Sequence, residues 1–195
     1  PQIKVANPRR AASIVASEFY GHPSRHLTVI GITGTNGKTT TASILKSILD
    51  QAGHKVAQIG TLGVIADGLD HLDTLTTPDP ITLHKLFSEL NDEGFSHVVM
   101  EVSSHALDQY RVADVEFNIA VFTNLAPEHL DYHGTMESYY KAKLRLFTML
   151  TIDATAVVNT SDSFGKRILK KSSAPVITFS NIGENSVFFQ SKKIS

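Results

Sequence analysis

The feature that most constrains this sequence is a glycine-containing loop, residues 34–40 (GTNGKTT), placed between an apolar run and a stretch with helical periodicity. The apolar run, residues 27–33, is rich in β-branched residues, which predicts a buried strand. Residues 38–51 repeat apolar side chains at helical spacing and stop before Gly53, which predicts a helix. This order is typical of a phosphate-binding loop, because backbone N–H groups and a helix N-terminus can surround phosphate oxygens.

The loop itself supplies the residues that we expect to bind ATP: Gly34, Thr35, Asn36, Gly37, Lys38, Thr39 and Thr40. Lys38 would reach the β- and γ-phosphates, and the Thr39 hydroxyl would bind Mg²⁺. The common form of this pattern has a glycine five residues before Gly37, where the chain has Ile32. An exposed lysine on a glycine-rich turn is the simpler alternative. A dinucleotide site is not indicated, because no G-x-G-x-x-G occurs here.

Strands and helices alternate along the chain. Further strands are predicted at residues 55–59, 62–65, 97–102, 117–123, 155–158, 175–179 and 186–190, and helices at 8–20, 80–93, 135–150 and 162–171. Asn7 is the predicted N-cap of the first of these helices. The alternation predicts an α/β fold, a doubly wound, mostly parallel sheet with a P-loop. We expect residues 1–26 to be a linker and helix from a preceding N-terminal domain. Residues 27–195 would form a central ATP-binding domain, truncated before a C-terminal domain.

Composition argues against several classes of protein. The chain has 18 Lys and Arg against 19 Asp and Glu, a formal charge of −1, which gives no electrostatic basis for binding nucleic acid or anionic lipid. No apolar run approaches the roughly 18 residues that span a bilayer. There are no cysteines, so disulfides and thiolate chemistry are excluded. We therefore expect a cytoplasmic protein without nucleic-acid or membrane partners.

A carboxylate ends one of the predicted strands, residues 97–102, at Glu101. Because the carboxyl ends of parallel strands meet at one edge of a sheet, Glu101 could face a Mg²⁺ ion bound at the phosphate loop. Ser103, Ser104 and His105 follow directly and suggest a hydrolase. Neither serine lies in a G-x-S-x-G turn, so a serine nucleophile is not predicted.

The segment after the strand at 117–123 carries His129, Asp131 and His133. A loop at the carboxyl edge of a sheet with these side chains is a candidate metal or substrate site. Two histidines near a turn are also common as plain solvated residues, so the loop alone leaves both interpretations open.

A lysine occupies an apolar position of the next predicted helix, residues 135–150. Its apolar stripe consists of Met136, Tyr140, Lys143, Phe147 and Leu150. Lys141 and Arg145 fall on other faces. Because an unpaired buried ammonium is costly, Lys143 must lose its proton, find a partner or extend to solvent.

Three segments resemble the Mur ligases, the ATP-dependent amide ligases of peptidoglycan precursor synthesis: residues 31–40 (GITGTNGKTT), 100–112 (MEVSSHALDQYRV) and 122–147. Together with residues 19–25 (FYGHPSR) and 76–80 (TTPDP), they are similar to the members that add a diamino acid to a UDP-linked muramoyl dipeptide. The resemblance covers nearly the whole chain, as the central ATPase domain of that family. The family's phosphate loop also lacks the early glycine.

The resemblance implies that ATP phosphorylates a substrate carboxylate, which an incoming amine then attacks. It implies catalytic roles for Lys38, His129 and Lys143, the last matching the family's carbamylated lysine. The implied Mg²⁺ ligands are Thr39, Glu101, His129 and the carbamate of Lys143. The positions that match contacts to the UDP-linked muramoyl dipeptide are Thr76, Thr77, Ser103, Gln109 and Arg111. A monomer is implied, whose partners are this dipeptide, a diamino acid and the N- and C-terminal domains of the same polypeptide.

Two alternatives stay open. The chain could be another Mur-type ligase, or a P-loop module that binds or hydrolyses nucleotide as a regulatory switch. A switch would be expected to carry an N-K-x-D base-recognition motif, and none occurs in the sequence. Folylpolyglutamate synthase shares the fold and the phosphate loop, but its other motifs are not recognised here. The identity of the diamino acid is decided in the C-terminal domain of such ligases.

Overall fold

The computed structural model describes residues 2–69 and 75–181, and the backbone of residues 187–192. Its strands are β1 (Thr28–Thr33), β2 (Val56–Gly60), β3 (Gly63–Ile65), β4 (His97–Glu101), β5 (Ile119–Phe122), β6 (Thr155–Asn159), β7 (Val176–Asn181) and β8 (Val187–Lys192). They form one sheet in the order β3-β2-β4-β1-β5-β6-β7-β8. All neighbours from β2 to β7 are parallel, and β3 and β8 pair antiparallel at the two edges.

Helices connect these strands and lie on both faces of the sheet, which confirms the predicted doubly wound α/β fold. They are α1 (Pro8–Phe19), α2 (Lys38–Gln51), α3 (Pro80–Asp92), α4 (Ser104–Asp108), α5 (Leu130–His133), α6 (Met136–Thr148) and α7 (Ser163–Ile168), with a 3₁₀ turn at Pro23–His26. The sequence did not predict α4 and α5, because a helix of about one turn is too short to show a 3.6-residue repeat.

Helix starts are decided by capping side chains. Asn7, Asp79 and Thr135 each accept hydrogen bonds from backbone N–H groups in the first turn of α1, α3 and α6. Asn7 was the predicted cap of its helix, and this is confirmed. The bounds of α2 match the predicted ones, and the other observed ends lie within three residues of those predicted.

The two faces of the sheet are covered unequally. Alternate strand residues such as Val29, Met100 and Phe122 join a large core with α3, α6 and α7. Side chains on the opposite face of the sheet, including Ile32 and Val121, form a smaller core that α2 covers. The helical period predicted for α2 is confirmed.

Part of the α2 face is open. Leu45 and Leu49 pack on the sheet, whereas Ile44 and Ile48 on the same helix are more than half exposed. Beside α2 lies an apolar groove, whose lining includes Leu45, Val121, Val157 and Phe179.

Helix α1 packs against α3, and the backbone N–H groups of Asp114 and Glu116 donate to the hydroxyls of Ser13 and Ser24. The division at residue 26 into two domains stays a prediction. Ser186, where one strand was predicted to begin, and residues 193–195 lie outside the described residues. No helix in the described part is both long and apolar enough to cross a membrane.

The strand register places three carboxyl ends side by side. Ile32 of β1 lies opposite Glu101 of β4, and Thr33 lies opposite Phe122 of β5. The phosphate loop, which follows β1, is therefore flanked by Glu101 on one side and by the loop after β5 on the other.

Candidate functional site

The phosphate loop is held in shape by the loop that follows β5. The N–H of Thr35 donates to the carbonyl of Asn124 (2.9 Å), and the N–H of Asn36 donates to the Asn124 side-chain oxygen (3.0 Å). In return, the Thr123 hydroxyl donates to the carbonyl of Asn36 (2.7 Å). A Cβ at Gly34 would overlap this hydroxyl, so the close approach of the two loops requires glycine there.

Lys38 folds back over this loop. Its ammonium donates to the carbonyl of Gly34 (3.1 Å) and to that of Thr35 (2.8 Å). Burial lowers the pKa of Lys38, and the negative charges of Glu101 and Glu128 oppose the shift. The loop therefore presents a cation next to the helix N-terminus of α2, as an anion site requires.

Glu101 is fully buried, and its carboxylate is surrounded by donors. The Thr39 hydroxyl donates to Oε1 (2.9 Å), the Thr61 N–H donates to the same oxygen (2.9 Å), and the Thr61 hydroxyl donates to Oε2 (3.3 Å). A Cβ at Gly60 would overlap this carboxylate. The predicted proximity of Thr39 and Glu101 is thus present, and a hydroxyl beside a carboxylate is a donor set that suits Mg²⁺.

Lys143 is 1% exposed and donates from Nζ to the carbonyl of Gly34 (2.8 Å), the oxygen that also accepts from Lys38. Its ammonium lies 4.6 Å from the centre of the Tyr139 ring. Burial and the nearby Lys38 charge lower the pKa of Lys143 to about 7, against the opposing effect of Glu128. Of the three outcomes that its sequence position allowed, Lys143 therefore finds partners and sits near the point of losing its proton.

The loop that carries His129, Asp131 and His133 lies beside α6, the helix of Lys143. His129 is the N-cap residue directly before α5 and has φ 55°, and its Nε2 lies 3.7 Å from the Glu128 carboxylate. The centre of its ring lies 4.9 Å from the ring centre of His105, and the ring centre of His105 lies 5.5 Å from that of His133. His133 Nε2 is 3.0 Å from the Ser104 hydroxyl.

Burial is the leading cause that lowers the pKa values of His105 and His133, and neighbouring positive charges add to it. Within residues 2–69 and 75–181, no three His, Asp or Glu side chains are grouped to hold a metal ion. The assignment of His129 as a Mg²⁺ ligand beside Glu101 therefore stays a prediction.

Four of the five residues that the resemblance assigned to dipeptide binding form one polar chain next to Glu101. The Thr77 hydroxyl donates to the Glu101 carbonyl (2.9 Å) and accepts from the Ser103 N–H (3.0 Å). Arg111 donates to the carbonyl of Thr77 (2.9 Å) and, through Nε and Nη2, to the Gln109 side-chain oxygen (3.1 and 2.7 Å). The hydroxyl oxygen of the fifth residue, Thr76, lies 3.3 Å from the hydroxyl oxygen of Thr61.

The sequence analysis missed several residues of the site, including Thr61, Asn124, Glu128 and Tyr139. Glu128 directly precedes His129, and its acidic side chain was the available signal. Tyr139 precedes Lys143 by four residues, which is the helical spacing for a shared face, but the predicted apolar stripe contains Tyr140 in its place. Burial raises the pKa of Tyr139, which keeps its hydroxyl protonated at neutral pH. No local pattern pointed to Thr61 or Asn124.

A glycine-lysine-threonine loop at the carboxyl edge of a parallel sheet, with a buried carboxylate on the neighbouring strand, defines a P-loop α/β domain of the nucleotide-binding class. Comparison with known families makes this more specific. The chain belongs to the Mur ligase middle domain family, whose profile matches residues 32–195.

Its relatives include ligases named UDP-N-acetylmuramoyl-L-alanyl-D-glutamate–2,6-diaminopimelate ligase. The one from Clostridium botulinum is 45% identical over 177 residues, covering 91% of this chain and 36% of the relative. The one from Agrobacterium fabrum is 43% identical over 195 residues, covering 100% of this chain and 40% of the relative. The chain thus spans only 36–40% of the length of these two relatives.

Solved structures agree on the fold. A ligase of the same name is 29% identical with a TM-score of 0.77, covering 95% of this chain and 40% of the solved one. A Mycobacterium tuberculosis folylpolyglutamate synthase complexed with ADP and AMPPCP is 16% identical with a TM-score of 0.71, covering 94% and 52%. At that identity the second likeness concerns the fold alone.

Proposed function

We propose that this chain is the ATP-binding central part of a ligase that adds a diamino acid to UDP-N-acetylmuramoyl-L-alanyl-D-glutamate. One observation carries the proposal: the phosphate loop, the Thr39–Glu101 pair and the buried Lys143 meet at one edge of the sheet, and the polar chain from Thr77 to Arg111 continues from it. A nucleotide site and a second polar site that share Glu101 suit a reaction in which a phosphoryl group passes from one substrate to the other.

In the proposed reaction, a carboxylate oxygen of the dipeptide attacks the γ-phosphorus of ATP, and ADP leaves. The amine of the diamino acid then attacks the acyl carbon, phosphate leaves, and a proton is lost from nitrogen as the amide forms. Such a reaction needs positioning and neutralisation of charge more than covalent help from the protein. Lys38 would exchange the carbonyls of Gly34 and Thr35 for phosphate oxygens, and Arg111 would orient the dipeptide.

Mg²⁺ fits the donors that are present, since a hydroxyl and a carboxylate are the oxygen ligands that it prefers. Thr39 and Glu101 would hold it, with His129 and a carbamate on Lys143 as further proposed ligands. When bound, Mg²⁺ neutralises the negative charge on the transferred phosphoryl group. The surrounding N–H and hydroxyl donors of Thr61 orient the Glu101 carboxylate for this task.

Carbamylation of Lys143 is part of this proposal, and the environment of the lysine supports it. A neutral amine attacks CO₂, a bond forms between Nζ and carbon, and one proton is released. The product is an anionic oxygen donor in place of a cation. Burial supports this step, because it lowers the pKa of Lys143 to about 7 and so leaves a sizeable neutral fraction, whereas Lys141 is exposed on the same helix.

The decisive experiment measures phosphate release from ATP by the full-length protein. Release should require both the UDP-linked dipeptide and a diamino acid, and mass spectrometry should find the tripeptide product. Parallel reactions with 2,6-diaminopimelate and with lysine identify the amine. A nucleotide-hydrolysing regulatory module would release phosphate at the same rate without either substrate. We expect the 195-residue chain alone to form no product.

A further inference from the structure

Tyr139 touches both halves of the proposed ATP site. Its side chain is 1% exposed, its hydroxyl lies 3.2 Å from the Thr35 hydroxyl in the phosphate loop, and its ring faces the Lys143 ammonium at 4.6 Å. No sequence motif singles it out. It is therefore a single rigid side chain that connects the phosphate loop to the buried lysine.

The Thr35 hydroxyl contacts Ala126 as well as Tyr139. Thr35 Oγ1 accepts from the Ala126 N–H (2.9 Å) and donates its one proton to the Ala126 carbonyl (3.2 Å). A hydroxyl has one proton and two lone pairs, so only one lone pair is left for Tyr139. When Thr35 donates its proton to the Ala126 carbonyl, the Tyr139 hydroxyl donates to Thr35; whichever of the two hydroxyls donates, removal of the Tyr139 hydroxyl removes the link between Thr35 and α6.

The ring of Tyr139 has a separate effect. The buried ring limits by its bulk where Lys143 Nζ can lie, and this steric restriction applies to the ammonium and to the proposed carbamate alike, whereas attraction of the ammonium to the ring ends on carbamylation. Lys143 is one helical turn after Tyr139, so the ring and the Gly34 carbonyl hold its Nζ between them. The hydroxyl thus positions the phosphate loop, while the ring positions the lysine.

We propose that Tyr139 is a positioning residue that holds the phosphate loop and Lys143 in register, with its hydroxyl governing nucleotide affinity and its ring governing turnover. The turnover part rests on the proposed ligase function. The affinity part depends only on nucleotide binding, so it can fail or hold independently.

The matched control is Tyr140, the next residue, which is also buried but packs against Phe164 and Arg167. In the full-length protein, we expect Tyr139→Phe to raise the Kd and the KM for ATP about five-fold, the effect of one buried hydrogen bond, with kcat within about twofold of wild type. Tyr140→Phe should leave the Kd, the KM and kcat within about twofold.

Removal of the ring separates the second effect. At saturating ATP and bicarbonate, the kcat of Tyr139→Leu should be at least about tenfold lower than that of Tyr139→Phe. The conservative variant Tyr139→Phe keeps the ring, so its kcat should stay near that of the wild type. In a Thr35→Val background, Tyr139→Phe should cause no further change in the Kd for ATP, because its partner is already missing.

Three results would overturn the proposal: equal Kd values for ATP in Tyr139→Phe and Tyr140→Phe, equal kcat in Tyr139→Leu and Tyr139→Phe, or additive effects of Thr35→Val and Tyr139→Phe. Melting temperatures identify any variant that is not folded, and the Phe variants decide the affinity part if Tyr139→Leu is unstable. If the wild-type protein binds ATP but does not ligate, the proposed function fails while the calorimetric Kd comparison still tests the hydroxyl.

Discussion

Lys143 and His84 are both buried nitrogen bases, and they differ in what surrounds them. Lys143 donates to the Gly34 carbonyl and faces an aromatic ring and a second lysine. His84 on α3 is 0% exposed, and within the described residues neither ring nitrogen has a hydrogen-bond partner. The centre of its ring lies 6.2 Å from that of Phe87, in an edge-to-face arrangement.

Burial lowers the pKa of both groups, to about 7 for Lys143 and to about 4 for His84. A displaced pKa therefore does not by itself identify a functional site. What distinguishes Lys143 is its hydrogen bond to the Gly34 carbonyl and its place beside the charges of Lys38 and Glu128. His84 instead carries the cost of a buried polar group without a partner, and its replacement should affect stability rather than turnover.

The largest effect is expected from removing Lys143, the buried base that has a hydrogen-bond partner. In the full-length protein, Lys143→Ala should reduce ligation by about 10³-fold, the scale for losing one preorganised electrostatic contact at a transferring group. Lys141→Ala, two residues away on the exposed side of α6, should stay within about twofold. Short-chain carboxylates should partly restore the Lys143 variant, because they can occupy the position of the carbamate. Full activity of Lys143→Ala under CO₂-depleted conditions would remove the carbamate from the mechanism.

Glu101 extends the comparison to a buried acid that is fully partnered. We expect Glu101→Ala to lower Mg²⁺-dependent turnover by about 10²–10³-fold, since it would contact the metal at the transferred phosphoryl group. His129→Ala should cost about tenfold, because it would be one of several ligands of the metal, and Asp131→Ala less. Steady-state rates at saturating ATP and Mg²⁺ measure these effects, and near-wild-type rates for both Glu101→Ala and His129→Ala would refute the metal assignment.

For His84 the prediction concerns pH and folding. Above pH 6.5, its ordinary pKa, the ring is neutral in both the folded and the unfolded chain. As the pH falls from 6.5 towards 4, the unfolded chain binds a proton that the folded chain does not, so stability falls by about 3 kcal/mol. Asp114 opposes the pKa shift and His22 adds to it.

Urea unfolding of the 195-residue chain between pH 4 and 7.5 measures this contribution. His84→Leu lacks the titrating group, so the difference between the wild-type and variant curves isolates it from the other histidines and carboxylates. A constant difference across this range would mean that His84 titrates normally in the folded chain.

The smallest effect is expected from the same variant at pH 7.5, where protonation plays no part. His84→Leu should raise the free energy of unfolding by about 1 kcal/mol, because it replaces an unpartnered polar ring with an apolar side chain of similar volume. Full-length His84→Leu should keep wild-type kcat. A destabilised variant would mean that the ring is better satisfied than its contacts indicate.

The local features of this protein were readable from its sequence. Residues 34–40 predict a loop between a strand and a helix, Asn7 predicts the start of α1, and the apolar stripe places Lys143 at an apolar position of α6, all of which the structure bears out. Each of these depends on neighbours within a few residues, because capping, periodicity and glycine turns are short-range energetics.

Tertiary structure alone decided the partners. Lys143 reaches a carbonyl 109 residues earlier in the chain, and Thr61 reaches Glu101 across 40 residues, through a strand order that no local pattern specifies. The stripe could not tell Tyr139 from Tyr140, since both are buried on α6 and only packing decides which one faces the phosphate loop. Long-range contacts are set by how whole elements pack, so these residues acquire their surroundings only in the assembled sheet.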